Sequence, residues 1–181
     1  MKIIGFSGSP RKDGSTNTLI KRILKNAEEN DHETTFFSLN NLNINPCQAC
    51  SYCEEDNGCD LDDDMNNLLE EIRSADYVII GSPVYFGQAS AQTRLFTDRF
   101  YSIYKSPSKD FNGIKAIIIY TQGNPDSKAY ESYFNHEKEF LYELAGFDVV
   151  KSFVASGLHS KEDLLENKEL LNEVDNFSLK I

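Results

Sequence analysis

The chain has 181 residues, of which 40% are hydrophobic and 26% are charged. This length and composition are typical of a soluble protein with one sizeable core, so we predict a single domain over residues 1–181. The 29 acidic and 18 basic side chains give a net charge of −11, which repels nucleic acid and anionic membrane surfaces, and we expect neither as a partner.

Short apolar runs rich in β-branched and aromatic residues alternate along the chain with segments of helical spacing. The strands are predicted at Lys2–Ser7, Glu33–Leu39, Asp76–Gly81, Ile114–Thr121 and Phe147–Ala155. The helices are predicted at Thr16–Asn30, Asp62–Ser74, Ala89–Tyr104 and Lys128–Ala145. The tail Ser160–Ile181 is predicted to form a closing helix packed on the sheet, and a subunit contact is the alternative. Ser15 or Thr16 is the expected N-cap of the first helix.

Strands that alternate with helices favour a parallel sheet with helices on both of its faces. Five such strands predict a doubly wound α/β fold with the flavodoxin-like strand order 2-1-3-4-5. In this fold ligands bind at the carboxyl ends of strands 1 and 3, so the loops that follow those strands are the first place to look for a site.

The loop after the first strand, SGSPRKDGSTNT, is rich in hydroxyl groups and leads into a helix. It lacks the patterns of a nucleoside-triphosphate loop and of a dinucleotide-binding loop. Its hydroxyl, amide and backbone donors suit a phosphate monoester, and Arg11 adds a charged contact. The alternative is an ordinary polar turn. The candidate phosphate-binding residues are Ser7, Ser9, Arg11, Ser15, Thr16, Asn17 and Thr18.

The loop after the third strand, GSPVYFGQAS, carries two aromatic residues where a loop is usually polar. Tyr85 and Phe86 suit a planar ring ligand, although they could instead pack on the helices. A third loop, TQGNPD, ends the fourth strand at the same edge of the sheet. A phosphate loop and an aromatic loop at one edge predict a mononucleotide with a flat ring, and FMN fits best.

These three loops resemble the NAD(P)H-dependent FMN reductase branch of the flavodoxin-like superfamily, over roughly residues 1–155. The cysteine run PCQACSYCEEDNGC is similar to that of the iron–sulfur flavoprotein subgroup. The resemblance implies noncovalent FMN, a redox function and flavin sites at subunit interfaces. By position it assigns Ser7, Ser9, Arg11, Ser15, Asn17 and Thr18 to the phosphate, Pro83, Val84, Tyr85 and Phe86 to the ring, and Thr121, Gln122 and Gly123 to the third loop.

All four cysteines lie in the loop at residues 46–60, with the spacing C-x2-C-x2-C-x5-C. No apolar run is long enough to span a membrane or to form a secretory signal, so we expect a cytoplasmic chain with reduced thiols. Closely spaced thiolates favour a 4Fe-4S cluster, whereas structural zinc usually draws on two separated knuckles. Zinc and metal-free thiols remain as alternatives. The candidate ligands are Cys47, Cys50, Cys53 and Cys59.

Seven carboxylates surround the cysteines, and they are expected to form a solvated loop and a helix start. They could also lower the potential of a cluster or attract a basic partner. They are Glu54, Glu55, Asp56, Asp60, Asp62, Asp63 and Asp64. We interpret Asp98–Arg99 as an exposed or interface ion pair, with a role in the flavin or subunit interface as the alternative. We interpret His32, His136 and His159 as surface or packing residues.

The sequence therefore predicts an FMN-dependent oxidoreductase, with FMN coupled to a 4Fe-4S cluster. A small redox protein or a reduced nicotinamide, NAD(P)H, is the expected electron donor, and a homodimer or homotetramer the expected assembly. A cluster-free NAD(P)H-dependent FMN or quinone reductase is the main alternative, and a binding module with a zinc knuckle is another. No residue is a convincing general acid, base or nucleophile, so none is predicted to be catalytic.

Overall fold

A parallel sheet of five strands forms the centre of the protein, in a computed structural model that describes residues 1–55, 58–106 and 111–181. The strands are β1 (Lys2–Ser7), β2 (Glu33–Ser38), β3 (Tyr77–Tyr85), β5 (Lys115–Thr121) and β6 (Asp148–Ala155), and a two-residue strand, β4 (Gln88–Ala89), pairs with the end of β3. The order β2-β1-β3-β5-β6 confirms the predicted flavodoxin-like order, because β4 lies outside the parallel path.

Helices cover both faces of the sheet. One face carries α1 (Ser15–Glu28), α7 (Lys161–Glu166) and α8 (Lys168–Ser178); the other carries α3 (Met65–Arg73), α4 (Ala91–Asp98), α5 (Tyr101–Lys105) and α6 (Glu131–Glu137). The short α2 (Tyr52–Glu55) belongs to the cysteine loop. Among the described residues, no helix has the length and apolar character that a membrane span requires.

Alternate residues of each strand belong to two separate hydrophobic cores, one on each face of the sheet. On β1, Ile3 packs against α1 and α8, whereas Ile4 and Phe6 pack against α3 and α4. The tail belongs to the first of these cores through Leu164, Leu170, Leu171 and Val174. The expected closing helix is therefore two helices, of which α7 begins with a capping box formed by Ser160 and Asp163.

Four local predictions differ from the structure. The helix expected over Ala89–Tyr104 is broken near Arg99 into α4 and α5. The helix expected over Lys128–Ala145 begins later, as α6, and continues as a turn of π-helix at Lys138–Tyr142. Strand β3 runs on to Tyr85, inside the segment predicted as a loop. The N-cap of α1 is Gly14, and neither Ser15 nor Thr16 fills that position.

Candidate functional site

A cavity of about 240 Å³ opens at the carboxyl edge of the sheet, where β1, β3 and β5 end. Ten of the predicted site residues, from all three loops, line it: Ser9, Arg11, Ser15, Thr16, Pro83, Val84, Tyr85, Thr121, Gln122 and Gly123. The loops meet directly, because Thr16 Oγ1 and Thr121 Oγ1 share a hydrogen bond of 2.7 Å. The order of the strands thus brings three loops that are far apart in the sequence together around one cavity.

The start of helix α1 forms one end of this cavity. Gly14, Ser15 and Thr16 line the wall, and no side chain caps the helix. The first N–H groups of a helix lack partners within it, and together with the helix dipole they attract an anion. Arg11, on the rim, adds a positive charge. This end therefore suits a phosphate group.

Three predicted phosphate ligands do not line the cavity but hold the loop in shape. Ser7 Oγ donates a hydrogen bond to Asn17 Oδ1, and Asn17 Nδ2 donates to the carbonyl oxygens of Arg11 and Lys12 at 3.1 and 3.0 Å. Thr18 Oγ1 donates to the Gly14 carbonyl at 3.0 Å. Since their side-chain groups are engaged within the loop, these residues shape the space where an anion would bind.

The aromatic segment is a β-hairpin. Tyr85 pairs with Gln88, and the two residues between them, Phe86 and Gly87, have φ values of 51° and 78°. Two positive φ angles define a type I′ turn, which usually carries Asn-Gly. Tyr85 lines the cavity, whereas the Phe86 side chain is 107% exposed at the tip and is not among the lining residues.

A network of hydrogen bonds around the buried carboxylate of Glu137 holds the hairpin in place. The backbone N–H of Ala89 donates to Tyr133 Oη at 2.9 Å, and Tyr133 Oη donates to Glu137 Oε1 at 2.6 Å. Glu137, 2% exposed, also accepts hydrogen bonds from Tyr120 and Arg94. Burial, followed by the bond to Glu137, raises the pKa of Tyr133 to about 12, so its hydroxyl remains a donor at neutral pH.

The third loop contributes an unusual acceptor. Gln122, 3% exposed, donates through Nε2 to the carbonyl oxygens of Asn124 and Asp126, but its Oε1 has no hydrogen-bond partner within the described residues. A buried acceptor without a partner is uncommon in a folded protein. Because Gln122 lines the cavity, a bound ligand with an N–H or O–H group could complete this set of bonds.

The four cysteines line a second cavity. Cys47, Cys50, Cys53 and Cys59 all contribute to its wall. Ala49 and Ser51 have φ values of 51° and 61°, a left-handed conformation that turns the chain sharply on both sides of Cys50. Burial raises the pKa of the Cys53 thiol. Within the described ranges no three Cys, His, Asp or Glu side chains are grouped tightly enough to hold a single metal ion.

Asp63 and Asn45 close the base of the cysteine loop. Asp63 accepts hydrogen bonds from the Asn45 N–H at 2.8 Å and the Met65 N–H at 3.0 Å. Its side chain and that of Arg99 are 0% exposed and form an ion pair of 2.6 Å. Burial alone would raise the pKa of Asp63, but the bonds from Arg99, Asn45 and Met65 outweigh it and lower that pKa.

Two predictions about charged residues are therefore wrong. Arg99 is neither exposed nor paired with its neighbour Asp98, because it is buried against Asp63 and Cys59, while Asp98 pairs with Arg94. Asp63 is not solvated. Glu54, Glu55 and Asp60 are exposed as expected, and Asp56 lies outside the described residues.

A family match covers most of the chain. Residues 1–159 match the family described as NADPH-dependent FMN reductase. The chain belongs to this family. The match extends beyond residue 155, where the resemblance seen in the sequence ends. It includes Leu158 and His159, which line the first cavity.

Two curated relatives of this FMN reductase family member are named iron-sulfur flavoproteins. One, from Methanocaldococcus jannaschii, is 44% identical over 99 residues, which are 55% of this chain and 51% of the relative. Another, from Archaeoglobus fulgidus, is 35% identical over 122 residues, which are 67% of this chain and 62% of the relative. The chain thus spans about half to two thirds of the length of these relatives.

A solved structure shares the fold of the whole FMN reductase chain. It is the NAD(P)H:quinone oxidoreductase from Methanothermobacter marburgensis, with a TM-score of 0.79 and 15% identity, and the match covers 99% of this chain and 96% of that one. At this identity the likeness shows the fold alone.

Helix α4 connects the two cavities of this family member. Its N-cap, Ser90, donates a hydrogen bond of 2.8 Å to the carbonyl oxygen of Gly8 beside the first cavity. Arg99, directly after the helix, lines the second. Eight helical residues span about 12 Å, and no lining residue is common to the two cavities.

Several residues that line these cavities are not among the predicted site residues, including His159, Leu158 and Arg99. His159, interpreted as a surface or packing residue, is exposed but lines the first cavity, and a Cβ at Gly123 would lie 3.1 Å from its ring. Leu158 beside it was not singled out, and Arg99 was placed on the surface. No local pattern marks His159, because the loop after β6 reaches the site only through the parallel pairing of β6 with β5.

Proposed function

We propose that this protein is an FMN-dependent oxidoreductase that couples FMN in the first cavity to a 4Fe-4S cluster on the four cysteines. The observation that carries the proposal is the joining of an uncapped helix start and an aromatic hairpin around one cavity at the carboxyl edge of the sheet. FMN combines an anionic phosphate with a flat, partly polar ring. Membership of an FMN reductase family supports the same ligand.

The phosphate would bind at the start of helix α1. Ser9, Ser15 and Thr16 line that end of the cavity with the first turn of the helix, and Arg11 lies on the rim. Ser15 Oγ already donates to the Ser160 carbonyl at 3.1 Å, so Ser15 contributes mainly its backbone N–H. Fixed N–H and O–H donors bind a phosphate without exchanging protons with it.

The ring would bind between the hairpin and the third loop. Pro83, Val84 and Tyr85 offer apolar surface in the wall of the first cavity, and Gln122 and Gly123 of the third loop line the same cavity. The unpaired Gln122 Oε1 suits a ring N–H donor, which the isoalloxazine has. Phe86 at the hairpin tip remains a predicted ring contact, although it stands outside the cavity as described.

The cysteine cavity fits a cluster on the chemistry of its donors. Four thiols face one space, and nitrogen or oxygen ligands are not needed to complete a 4Fe-4S set. Each thiolate of such a cluster binds a different iron, so the four sulfur atoms need not converge on one point as they would around a single zinc ion. The names of the two relatives support this assignment.

FMN exchanges one or two electrons and a 4Fe-4S cluster exchanges one, so the pair would connect a two-electron donor to one-electron carriers. The chain's own residues bind and orient these groups: α4 holds the two sites at a fixed distance, and the buried Glu137 network fixes the hairpin. NAD(P)H or a small redox protein is the proposed donor.

A homodimer or homotetramer is the proposed assembly. Four exposed apolar side chains, Tyr101, Tyr104, Phe140 and Leu144, line a groove of about 180 Å³ between α5 and the π-helical turn. Exposed apolar grooves of this kind often mark contacts with another protein. Light scattering of the purified protein would give the mass of the assembly, and a monomer would contradict this part of the proposal.

The test is a reciprocal pair of variants in protein made and handled without oxygen. Wild type should contain one FMN and about four irons and four sulfides per chain. Cys50→Ala should lose iron and sulfide but keep FMN, whereas Ser9→Ala should weaken FMN binding by about 1–3 kcal/mol and keep iron.

Two results would contradict the proposal. Equal affinity for riboflavin and FMN would show that no phosphate is recognised. Full FMN without iron in wild type would leave the cluster-free NAD(P)H-dependent FMN or quinone reductase as the better description.

A further inference from the structure

A buried arginine contacts one of the four cysteines. Arg99 is 1% exposed, and its Nη2 donates a hydrogen bond of 3.2 Å to Cys59 Sγ. Its Nη1 donates to Asp63 at 2.6 Å and to the Asn45 carbonyl at 3.0 Å. Burying a cation in the protein interior is unfavourable unless hydrogen-bond or ionic partners compensate its charge. The partners of Arg99 therefore indicate its role.

Asp63 explains only part of this arrangement. Its carboxylate also accepts two backbone N–H bonds, from Asn45 and Met65, so several donors besides Arg99 hold it. Arg99 in turn directs a separate N–H group to sulfur, and its Nε has no partner within the described residues. An arginine that only closed the loop through Asp63 would not need the bond to Cys59.

We propose that Arg99 is a positioning residue that fixes Cys59 Sγ for ligation and raises the reduction potential of the cluster. The proposal rests on the proposed function, because it requires a cluster at the four cysteines. Reduction adds a negative charge to a cluster. A buried cation hydrogen-bonded to a ligand sulfur stabilises the reduced form, since net charge and hydrogen bonds to the sulfurs both set the potential.

The same reasoning gives Asp63 the opposite effect. Its carboxylate binds Nη1, whereas Cys59 binds Nη2, and the carboxylate offsets part of the positive charge of the guanidinium. Removing Arg99 should therefore lower the potential, and removing the charge of Asp63 should raise it. A purely structural pair would not behave in this way, because loss of either partner would loosen the same loop and move both variants in the same direction.

The test is a redox titration of anaerobic, cluster-loaded protein followed by electron paramagnetic resonance. The variants are Arg99→Gln, Arg99→Lys and Asp63→Asn. The control is Arg22→Gln, which removes the same charge from the helix α1 ion pair with Asp175. The FMN couple, titrated in the same sample, serves as an internal reference.

Arg99→Gln should shift the one-electron reduction equilibrium at least tenfold toward the oxidised form, which corresponds to 59 mV. Asp63→Asn should shift it toward the reduced form, Arg99→Lys should shift it less than Arg99→Gln, and Arg22→Gln should leave it unchanged. If Arg99→Gln loses iron while it keeps FMN, the loss supports the role of Arg99 in positioning Cys59. The reduction potential of the cluster is then measured in Arg99→Lys instead.

The failures of the two proposals are distinguishable. Iron-loaded wild type with the same cluster potential in Arg99→Gln, Arg99→Lys and Asp63→Asn would overturn the role of Arg99 and leave the proposed function intact. Shifts of equal sign in Arg99→Gln and Asp63→Asn would also overturn it. Wild type without iron would overturn the proposed function together with the role of Arg99.

Discussion

Ser90 Oγ donates a hydrogen bond of 2.8 Å to the carbonyl oxygen of Gly8, and this bond joins the hairpin to the loop after β1. The same hydroxyl accepts the N–H of Thr93 at 3.3 Å and so caps helix α4. The two loops and the helix that leads to Arg99 are therefore fixed at one point. A substitution that displaces Ser90 or Gly8 should therefore change the shape of the first cavity more than it changes the rest of the fold.

Gly8→Ala tests this contact. A Cβ at Gly8 would overlap Thr93 Oγ1 and approach Ser90 Oγ to 2.8 Å, so we expect destabilisation of about 1–3 kcal/mol and weaker FMN binding. Thermal unfolding and FMN titration measure the two effects. Gly58→Ala is the control, because a Cβ there has no neighbour within 4 Å. FMN affinity equal to that of wild type would contradict the role given to this contact.

Tyr133→Phe tests the support behind the hairpin. The variant leaves the Ala89 N–H without its acceptor and removes one donor from the buried Glu137. An unpaired buried polar group costs about 1–3 kcal/mol, so both the free energy of unfolding and FMN affinity should fall. Tyr52→Phe, at an exposed site outside the first cavity, should change neither. Lower stability with unchanged FMN affinity would limit the network to a structural role.

Asp175→Asn tests how the tail is held. Arg22 binds both oxygens of Asp175 at 2.6 Å, and this bond is the main reason that the pKa of Asp175 is lowered. A partly exposed pair of this kind is worth about 0.5–1 kcal/mol. A lowered folded-state pKa stabilises the protein above the unfolded-state value, near 3.9, and this stabilisation is lost as the pH falls.

The difference in unfolding free energy between wild type and Asp175→Asn should therefore be constant at neutral pH and become smaller as the pH falls below the unfolded-state pKa. Urea unfolding at pH 7 and at about pH 3 measures it. A difference that grew as the pH fell would refute the assignment.

The sequence predicted the sheet and the loops at its carboxyl edge because those features are local. A strand such as Ile114–Thr121 is apolar on both faces, and SGSPRKDGSTNT is visibly a donor-rich loop. Parallel pairing then places the ends of β1, β3 and β5 together without further information. Most of the first cavity follows from these facts alone.

Arg99 was misjudged because the partner that buries it lies 36 residues away. Charged residues on a helix face are usually exposed, and nothing near Arg99 in the sequence suggests otherwise. The break between α4 and α5 also has no glycine or proline to mark it. Tertiary contacts with the cysteine loop decide the burial of Arg99, and single-sequence patterns do not contain them.

The hairpin was missed for a different reason, because its turn has an unfavourable residue. In a type I′ turn the first position prefers Asn, whose side chain tolerates positive φ, whereas a bulky aromatic residue at φ 51° is strained. The Phe86 ring is fully exposed, so packing within the chain does not offset the strain. Strain of this kind is often kept where it serves a function.

Phe86→Asn should therefore separate stability from function. Asn relieves the left-handed strain by about 1 kcal/mol, so the melting temperature should rise, while loss of the ring should weaken FMN binding or slow turnover with the electron donor. Leu179→Asn is the control, because it also removes an exposed apolar side chain but at an ordinary φ of −70°, and it should not raise the melting temperature. Phe86→Ala, which removes the ring without a favourable turn residue, should show the functional loss alone. If Phe86→Asn raised the melting temperature and left both FMN affinity and turnover unchanged, the aromatic tip would have no part in the site.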